Sequence, residues 1–480
     1  MKTSLPLQRR THSLRNLIPL AVLAMAVAFA PGLRAQIMDV DGDILGFGNY
    51  TASPRTWTSN STTIWTTSAN GTSDTDTWFS LGGGSSSVTQ FNTSNSSAST
   101  GVTVAEDFAV QGLTQNGPRG ITLSASSSKT ITLSSSANIT TTGGGYLTVG
   151  DNLTLSGDFT KTGNDFLRLG GTGIAKVYAG TATVNAGRLE FNNPGNTSSG
   201  TNLVLGSSGN VAFVNGGDRT IGNLSGGGAS STFFLYFSTA NLTITQTSDA
   251  SYAGLIYDDS TSTLGLKKSG GATLTLSGNN TYVGATTVSA GTLLINGNQT
   301  AATGNFSVSA LATLGGNGTL GGAVTVADTG ILAPGTSGDT TTTLTLANKN
   351  LTMAGADSKI ALNIAGKAAG DFDKIAGIAA FAQGGDITFT LSGTYAALDS
   401  WNVFAFTSES GNFDSITLAG SYDGTLTRSG SIWTNTNIGG QSWKFDETAG
   451  TLSVVPEPAT WVLLAASLTT VMILRRRRNS

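Results

Sequence analysis

The sequence predicts an all-β fold, an elongated parallel β-helix or β-solenoid that ends in one C-terminal transmembrane helix. Short runs of alternating apolar and polar residues recur through the body of the chain. Glycine accounts for 64 of 480 residues and proline for only 9, while serine, threonine and asparagine are abundant. This composition fits either a disordered stalk or a β-solenoid with many tight turns, and the regular alternation favours folded β structure.

Eight alternating runs carry this pattern, and clusters of Gly, Asn, Asp or Ser separate them. Each run places aliphatic, β-branched or aromatic residues at every second position, which is typical of a strand with one buried face. The runs are Ile121–Leu123, Ile131–Leu133, Leu147–Val149, Leu153–Leu155, Leu242–Ile244, Leu274–Leu276, Leu344–Leu346 and Ile387–Phe389. We therefore expect a long array of short strands.

The clearest internal repeat covers residues 267–297, with the sequence KKSGGATLTLSGNNTYVGATTVSAGTLLING. The segment resembles the autotransporter-associated β-strand repeat, whose pattern runs from a basic residue and a glycine through an LTLSGNNTY block to a VxAGTLxxNG block. The matching residues are Lys268, Gly270, Leu274, Leu276, Asn279, Asn280, Tyr282, Val288, Ala290, Gly291, Leu293 and Asn296. This resemblance implies a stacked β-strand repeat.

A weaker copy of the repeat runs from Lys161 to Leu189 and lacks the SGNNTY block. Further along the chain, spacings of 20 and 18 residues separate Val288, Val308 and Val326, which is about one rung of a parallel β-helix. One rung cannot bury its own apolar face, so stacked rungs must share a continuous core. We expect Gly and Asn at the corners, and hydrogen-bonded ladders of Asn and Thr along the axis.

A tryptophan-containing region, residues 36–115, precedes the expected solenoid of residues 116–345. It resembles the segment that often opens bacterial proteins with this repeat. We interpret it as the first rungs or an amino-terminal cap; the alternative is that exposed indole rings stack on sugars. The tryptophans concerned are Trp57, Trp65 and Trp78.

The region that follows the solenoid, residues 346–455, resembles the carboxy-terminal strands that close such arrays. Its sequence includes the strand-like run DITFTLSG from Asp386. Three further tryptophans, Trp401, Trp433 and Trp443, are expected in its core or cap. The region therefore predicts a β structure that ends the stack.

The first 35 residues have the pattern of a secretory signal peptide. Basic residues from Lys2 to Arg15 precede an uncharged and mostly apolar run from Leu17 to Ala30. Cleavage is expected after Ala35, although Leu33 stands where a small residue is usual. The alternative is an uncleaved membrane anchor.

The end of the chain, residues 456–480, has three parts: a Pro-Glu-Pro tripeptide, an uncharged apolar helix over residues 459–474, and a basic end. The tripeptide is Pro456, Glu457 and Pro458; the helix includes the apolar run from Trp461 to Leu474; and the basic end is Arg475, Arg476, Arg477 and Arg478. Because arginines beside an apolar helix stay on the cytoplasmic side, the body of the chain is expected outside. The helix is shorter than the roughly 20 residues that span a bilayer, and arginine snorkelling covers part of the gap.

This tail resembles the PEP-CTERM sorting signal of Gram-negative bacteria that make exopolysaccharide. The resemblance implies recognition of the tripeptide by an exosortase-type processing enzyme, while the apolar helix holds the substrate in the inner membrane. The protein would then move to the cell surface or extracellular matrix. The alternatives are a plain membrane anchor and an amphipathic end helix.

Charge and residue content exclude several functions. Without the leader's five cations and the tail's four, 16 of the 25 Lys and Arg remain in residues 36–455; without Glu457, 27 of the 28 acids remain, so the net charge is about −11. That balance argues against a nucleic-acid partner. Cysteine is absent and the single histidine, His12, lies in the leader, which excludes Cys–His and Ser-His-Asp catalysis and an ordinary zinc site in the mature body.

Three groups of carboxylates are the remaining candidates for chemistry. The first, Asp39, Asp41 and Asp43, lacks the glycine and glutamate positions of an EF-hand loop, and we interpret it as a solvated acidic segment rather than a calcium site. The others are pairs, as glycosidases require, but acidic turn residues are common. These pairs are Asp258 with Asp259 and Asp371 with Asp373. We expect no catalytic residue, no metal and no cofactor.

Two functional hypotheses follow. The preferred one is a structural or adhesin-like β-solenoid that is exported, sorted by its tail and associated with exopolysaccharide. The alternative is a polysaccharide-binding or polysaccharide-degrading β-helix protein, which acidic residues with Arg or Lys clustered on one rung face would favour. A conventional autotransporter is a third hypothesis, and the single short helix of the tail disfavours it.

Overall fold

The computed structural model describes residues 56–57, 77–80, 88–93, 100–104, 107–170, 178–193, 197–236, 239–335 and 342–456. For residues 56–103 the description is limited to the backbone. The expected signal peptide, the Asp39–Asp43 segment, Trp65 and the tail after Pro456 lie outside these residues. In the described part of the chain, all elements of regular secondary structure are β-strands. This part contains no helix that could cross a membrane.

Forty-one strands make up the described structure. The first group is β1 (Thr56–Trp57), β2 (Thr77–Ser80), β3 (Val88–Thr93), β4 (Thr100–Val104), β5 (Phe108–Asn116), β6 (Ile121–Ser124), β7 (Lys129–Thr142), β8 (Tyr146–Val149), β9 (Leu153–Ser156), β10 (Phe159–Thr162), β11 (Phe166–Leu169), β12 (Tyr178–Phe191), β13 (Thr197–Val214), β14 (Arg219–Ile221), β15 (Leu224–Gly226), β16 (Thr232–Tyr236), β17 (Thr239–Thr245), β18 (Ala250–Tyr252), β19 (Leu255–Asp258) and β20 (Thr263–Ser269).

The second group of strands is β21 (Thr273–Leu276), β22 (Thr286–Val288), β23 (Thr292–Ile295), β24 (Asn298–Gln299), β25 (Phe306–Val308), β26 (Thr313–Gly316), β27 (Thr319–Leu320), β28 (Val324–Val326), β29 (Ile331–Pro334), β30 (Thr343–Met353), β31 (Lys359–Ile364), β32 (Lys374–Gln383), β33 (Asp386–Leu391), β34 (Ser400–Asn402), β35 (Phe404–Gly411), β36 (Ser415–Gly420), β37 (Gly424–Thr425), β38 (Thr427–Ser429), β39 (Ile432–Ile438), β40 (Gln441–Asp446) and β41 (Thr451–Val455). All eight alternating runs of the sequence lie in these strands, so the strand prediction is confirmed.

The strands stack into a parallel β-solenoid of about 12 turns. Most of them form a 25-stranded sheet and an 11-stranded sheet, in which a strand pairs in parallel with its counterpart one turn away. The expected valine ladder is present: Val288 is the register partner of Val308, and Val308 is that of Val326. The spacings of 20 and 18 residues are therefore the lengths of single turns, as the sequence indicated.

A continuous apolar core runs through the stack. Leu274 pairs in register with Ala250 on one side and Leu293 on the other, and Leu314 and Leu332 continue the same column. The four leucines are buried. Burial of each such side chain contributes about 1.5–3 kcal/mol, so the core is the main source of stability.

The corners between strands carry ladders of polar side chains, as predicted. The side-chain oxygen of Asn202 accepts a hydrogen bond from the backbone amide of Asn223 at 2.8 Å, and Asn223 accepts one from the amide of Thr247 at the same distance. At each step of the ladder, a side-chain oxygen accepts a hydrogen bond from a backbone amide of the next turn. Polar corner residues therefore hold the turns in register.

An antiparallel five-stranded sheet closes the C-terminal end of the stack, in the order β34-β41-β40-β39-β38. The indole rings of Trp401 and Trp443 stack in it with centroids 6.2 Å apart, and Trp433 is also buried. These tryptophans are thus core and cap residues, as expected. Pro456 directly follows β41, the last strand.

Parallel pairing extends beyond the expected limits of the solenoid. At the N-terminal side, β4 already pairs in parallel with β6 and β5 with β7, whereas β2 and β3 form an antiparallel pair. At the other side, residue 345 lies inside β30, and parallel pairing continues through β31, β33 and β36. The closing region therefore contains further turns of the stack as well as the cap.

Candidate functional site

Arginine and aromatic side chains form a continuous patch on the outer surface of the 25-stranded sheet. They project from β8, β11, β12, β16 and β19. Six of the eight side chains are partly exposed and two are buried. We call this patch the Arg–aromatic face. Its members are Tyr146, Phe166, Arg168, Arg188, Glu190, Phe234, Tyr236 and Tyr257, of which Glu190 and Phe234 are the buried ones.

Strand alternation brings these residues to one surface. In β11 the side chains of Leu167 and Leu169 enter the core, which turns Phe166 and Arg168 outward. The neighbouring strands follow the same alternation. The face is therefore a consequence of the same pattern that builds the core.

Register aligns the outward side chains into two columns along the solenoid axis. The first column is Tyr146, Phe166, Arg188, Asn210, Thr232 and Leu255. The second is Thr148, Arg168, Glu190, Ala212, Phe234 and Tyr257. Six strands at a spacing of about 4.8 Å give each column a length of roughly 24 Å.

The carboxylate of Glu190 joins the two arginines of the face. Its Oε2 accepts a hydrogen bond from Arg168 Nε at 2.5 Å, and its Oε1 lies 2.6 Å from Arg188 Nη2. Glu190 is almost completely buried, whereas Arg168 keeps about a third of its side chain exposed at 31%. The pairing fixes both guanidinium groups, and Arg188 Nε is buried without an acceptor.

Both guanidinium groups also lie against aromatic rings. Arg168 is 4.6 Å from the ring centroid of Tyr146, and Arg188 is 3.9 Å from that of Phe166. Arg188 also lies 5.5 Å from the centroid of Phe234, two turns beyond its own strand. These are cation–π distances, and they keep the flat guanidinium surfaces close to the aromatic rings.

Aromatic rings dominate the other end of the face. Phe234 stacks on Tyr257 with centroids 5.3 Å apart and an interplanar angle of 23°, and it meets Tyr236 edge-on at 4.7 Å. Burial raises the pKa of Tyr257; nearby Tyr236 and Asp259 also raise it, and Arg188 opposes them. The face thus combines flat apolar surfaces with fixed cationic donors, an arrangement that suits ligands with both ring faces and acceptor oxygens.

The carboxylate pair at residues 258 and 259 supports a corner of the solenoid. Asp258 Oδ2 accepts hydrogen bonds from the amides of Leu264 at 2.7 Å and Val283 at 3.1 Å. Asp259 Oδ1 accepts from the amide and the hydroxyl of Thr261. Each carboxylate therefore accepts hydrogen bonds that stabilise a turn of the backbone.

The second pair has separate structural roles. The Asp373 side chain is buried and accepts hydrogen bonds from the amides of Thr342 at 2.9 Å and Asn363 at 2.7 Å. Burial raises the pKa of Asp373, and these hydrogen bonds oppose that shift. Asp371 accepts from the amide of Ala368 within its own turn. In the described structure both carboxylates therefore accept hydrogen bonds from backbone amides.

Two buried lysines occupy equivalent places in the two repeat copies. Lys268 Nζ donates hydrogen bonds to the carbonyls of Ser269, Gly270 and Ala290 at 3.0, 2.8 and 3.0 Å. Lys161 Nζ binds the carbonyls of Thr162, Gly163 and Ala186 at 2.7, 2.8 and 3.2 Å. The basic residue of the repeat is thus a structural clamp on two corners.

Burial lowers the pKa of each clamp lysine to about 8. A nearby carboxylate, Asp165 for Lys161 and Asp249 for Lys268, opposes that effect. Among the described residues no cluster of three metal-binding side chains occurs.

Sequence reasoning missed the Arg–aromatic face. Its members lie in strands whose inward residues were recognised, at Leu147 and Val149 for example, but the outward residues of successive turns were not aligned. The sequence did carry a signal for the face: an aromatic residue directly precedes the inward-facing residues of a strand, as Tyr146 and Phe166 do. Alignment at spacings of 20 to 22 residues would have placed Tyr146, Phe166 and Arg188 in one column.

Comparison with protein families identifies the repeat. The family model of the passenger-associated-transport-repeat matches residues 159–191 and 266–295. These segments contain both clamp lysines, the whole of the weaker repeat copy and nearly all of the clearer one. No curated protein matches the chain at a significant level. The repeat and the parallel β-solenoid together fit an extracellular, autotransporter-like passenger or adhesin, exported to the cell surface.

Proposed function

We propose that this chain is a structural or adhesin-like protein of the cell surface, sorted by a PEP-CTERM and exosortase system and associated with exopolysaccharide. The observation that carries the proposal is the parallel stack that the described residues form, together with two passenger-type repeats. A stack of about 12 turns presents a long, narrow surface, and such a surface suits display rather than enclosure of a small substrate.

The surface chemistry supports a role in display. Outward positions of the strands are rich in threonine and serine, and Thr245 and Ser269 share a hydrogen bond between turns at 3.2 Å. The expected mature region has 43 charged residues among 420, so hydroxyl and amide groups supply much of its polarity. Such a surface can form many weak contacts with hydroxyl-rich polymers.

The tail supports the proposed route to the surface. Pro456, the first residue of the tripeptide, directly follows β41, the last strand of the cap. The proposed signal therefore begins where the cap ends. Glu457, Pro458, the apolar segment from Trp461 and the four arginines would complete the signal.

The test compares wild type with a variant in which Pro456, Glu457 and Pro458 are all changed to alanine. Intact mass and cell fractionation are measured for both proteins. The proposal expects wild type to lose its tail and leave the inner membrane, and the variant to remain there uncleaved. Wild type that stays intact in the inner membrane would contradict sorting by the tail.

Binding of polysaccharide is a second candidate function, and the Arg–aromatic face favours it. Partly exposed rings such as Tyr146 can stack on sugar rings, and Arg168 can donate hydrogen bonds to their oxygens. Degradation of polysaccharide has less support, because hydrolysis needs two carboxyl groups and the carboxylate of this face, Glu190, is held by two arginines. We therefore propose a non-enzymatic protein.

A further inference from the structure

We propose that the Arg–aromatic face binds an acidic polysaccharide, one whose sugar rings carry carboxylate groups. This inference deepens the proposed function and rests on it, since such polymers are met outside the cell. The face would hold the chain along the solenoid axis, with sugar rings against the aromatic side chains and carboxylates against Arg168 and Arg188. The polymer class follows from the geometry of these groups.

The guanidinium groups account for the preference for an acidic polymer. Each guanidinium has five N–H donors, more than the two oxygens of Glu190 that join Arg168 and Arg188 can accept. Arg168 and Arg188 both keep part of their side chains exposed, at 31% and 20%, so each can still donate to a ligand. A planar fork of N–H donors matches a carboxylate better than a hydroxyl group.

Local charge also distinguishes this face from the rest of the body. Two arginines and one glutamate leave it with one net positive charge, whereas the expected mature region carries about −11. Asp259 near Tyr257 keeps its negative charge while it accepts hydrogen bonds from Thr261, so the positive charge of the face is centred on Arg168 and Arg188. An acidic polymer would therefore be repelled by much of the surface and attracted here.

The aromatic rings account for the preference for sugars. Tyr146 and Phe166 lie on adjacent strands at one end of the face, and at the other the partly exposed Tyr257 stacks on the buried Phe234. Between them lie the short side chains of Asn210 and the buried Ala212. The result is a strip roughly 24 Å long with aromatic groups at both ends, enough for several sugar rings.

The experiment uses the full chain in mild detergent and two polymers, polygalacturonate as the acidic probe and dextran as the neutral one. Affinity gel electrophoresis measures binding of wild type, Arg168→Gln and Lys267→Gln. Lys267 is a matched control, because it is an exposed cation on β20 in the other long sheet. Circular dichroism checks that each variant keeps its β structure.

We expect wild type and Lys267→Gln to bind polygalacturonate with similar affinity, and Arg168→Gln to bind about tenfold more weakly. Binding should also weaken as salt concentration rises. Equal binding of dextran and polygalacturonate, no binding of polygalacturonate, or unchanged binding by Arg168→Gln would each overturn the inference.

A second variant tests the face independently, in case Arg168→Gln does not fold. Tyr146→Leu keeps both arginines and removes one aromatic ring that contacts Arg168. We expect a measurable loss of affinity for polygalacturonate, and unchanged affinity would count against the face. The result is separate from the sorting test, because a chain that is never exported can still bind the polymer in solution, and an exported chain can fail to bind it.

Discussion

The ammonium group of Lys268 donates a hydrogen bond to the carbonyl oxygen of Ala290 at 3.0 Å, and thereby links one turn of the solenoid to the next. Lys161 makes the equivalent bond to Ala186 at 3.2 Å. In both copies the alanine comes two residues after the register partner of the lysine and just before a glycine with positive φ. The basic residue of the repeat and its Ala-Gly pair thus form one hydrogen-bonded contact between adjacent turns.

Replacement of the clamp lysine should destabilise the stack. Lys268→Met keeps much of the buried volume but leaves three carbonyl groups without their ammonium donor, and we expect the free energy of unfolding to fall by about 2 kcal/mol. Urea denaturation followed by circular dichroism measures the change. Lys267→Met, on the same strand but exposed, should change it by less than about 0.5 kcal/mol. Equal effects of the two substitutions would show that the clamp adds no stability.

The clamp should also make stability depend on alkaline pH. Burial lowers the pKa of Lys268 from 10.5 to about 8, so between these values the unfolded chain binds more protons than the folded one. The contribution of Lys268 to the free energy of unfolding should therefore rise from pH 8 to pH 10.5, by at most about 3 kcal/mol. The stability difference between wild type and Lys268→Met, measured across this range, isolates that contribution. A difference that stays constant or shrinks would contradict the prediction.

The turn after the valine ladder offers a pair of opposite substitutions. Gly291 and Leu311 occupy the same corner position in successive turns, with φ of 64° and 61°. Gly291→Ala should cost about 2 kcal/mol or more, because its Cβ would lie 2.5 Å from the carbonyl oxygen of Gly270. Leu311 is 80% exposed, so Leu311→Gly should raise stability by roughly 0.5 kcal/mol through relief of backbone strain. Thermal denaturation distinguishes the two, and a loss of stability in Leu311→Gly would refute the strain argument.

The C-terminal cap depends on one buried carboxylate. Glu447 Oε1 accepts hydrogen bonds from the amide of Phe413 at 3.0 Å and from Trp433 Nε1 at 2.8 Å, and Oε2 lies 3.2 Å from Arg428. Glu447→Gln should lower the free energy of unfolding of the cap by about 2 kcal/mol, because the amide cannot accept from all three donors. Tryptophan fluorescence during urea denaturation follows the cap when the four tryptophans outside it, Trp57, Trp65, Trp78 and Trp461, are changed to phenylalanine in every protein compared.

The control for the cap is Glu409→Gln, at a half-buried position on β35. This substitution should leave the fluorescence transition within about 0.5 kcal/mol of wild type. A cap that unfolds at the same urea concentration in Glu447→Gln and wild type would mean that apolar packing around Trp401 and Trp443 is sufficient.

The fold was predictable because it rests on local alternation. Runs such as Leu274–Leu276 show the two-residue period of a strand, and the even spacing of Val288, Val308 and Val326 shows the length of a turn. Both signals come from inward residues, whose apolar character the core requires. Burial of the cap tryptophans was expected on a different ground, the resemblance of residues 346–455 to the strands that close such arrays.

The Arg–aromatic face was harder to predict because the turns differ in length. Leu123 and Val149 are register partners 26 residues apart, whereas Leu314 and Leu332 are 18 apart. The corners take up these differences, so the outward residues of distant turns cannot be aligned by one fixed period. The buried position of Lys268 was also unexpected, since the adjacent Lys267 is exposed and strand geometry alone decides between them.

The most direct test of the central claim, display of the solenoid outside the cell, uses the absence of cysteine from the chain. Lys267→Cys places a single thiol at an exposed position, and Lys268→Cys places one in the buried neighbour position. Intact cells are treated with a membrane-impermeant maleimide. We predict that Lys267→Cys is labelled on intact cells, and that Lys268→Cys is labelled only after denaturation. Labelling of Lys267→Cys only after cell lysis would contradict display at the surface.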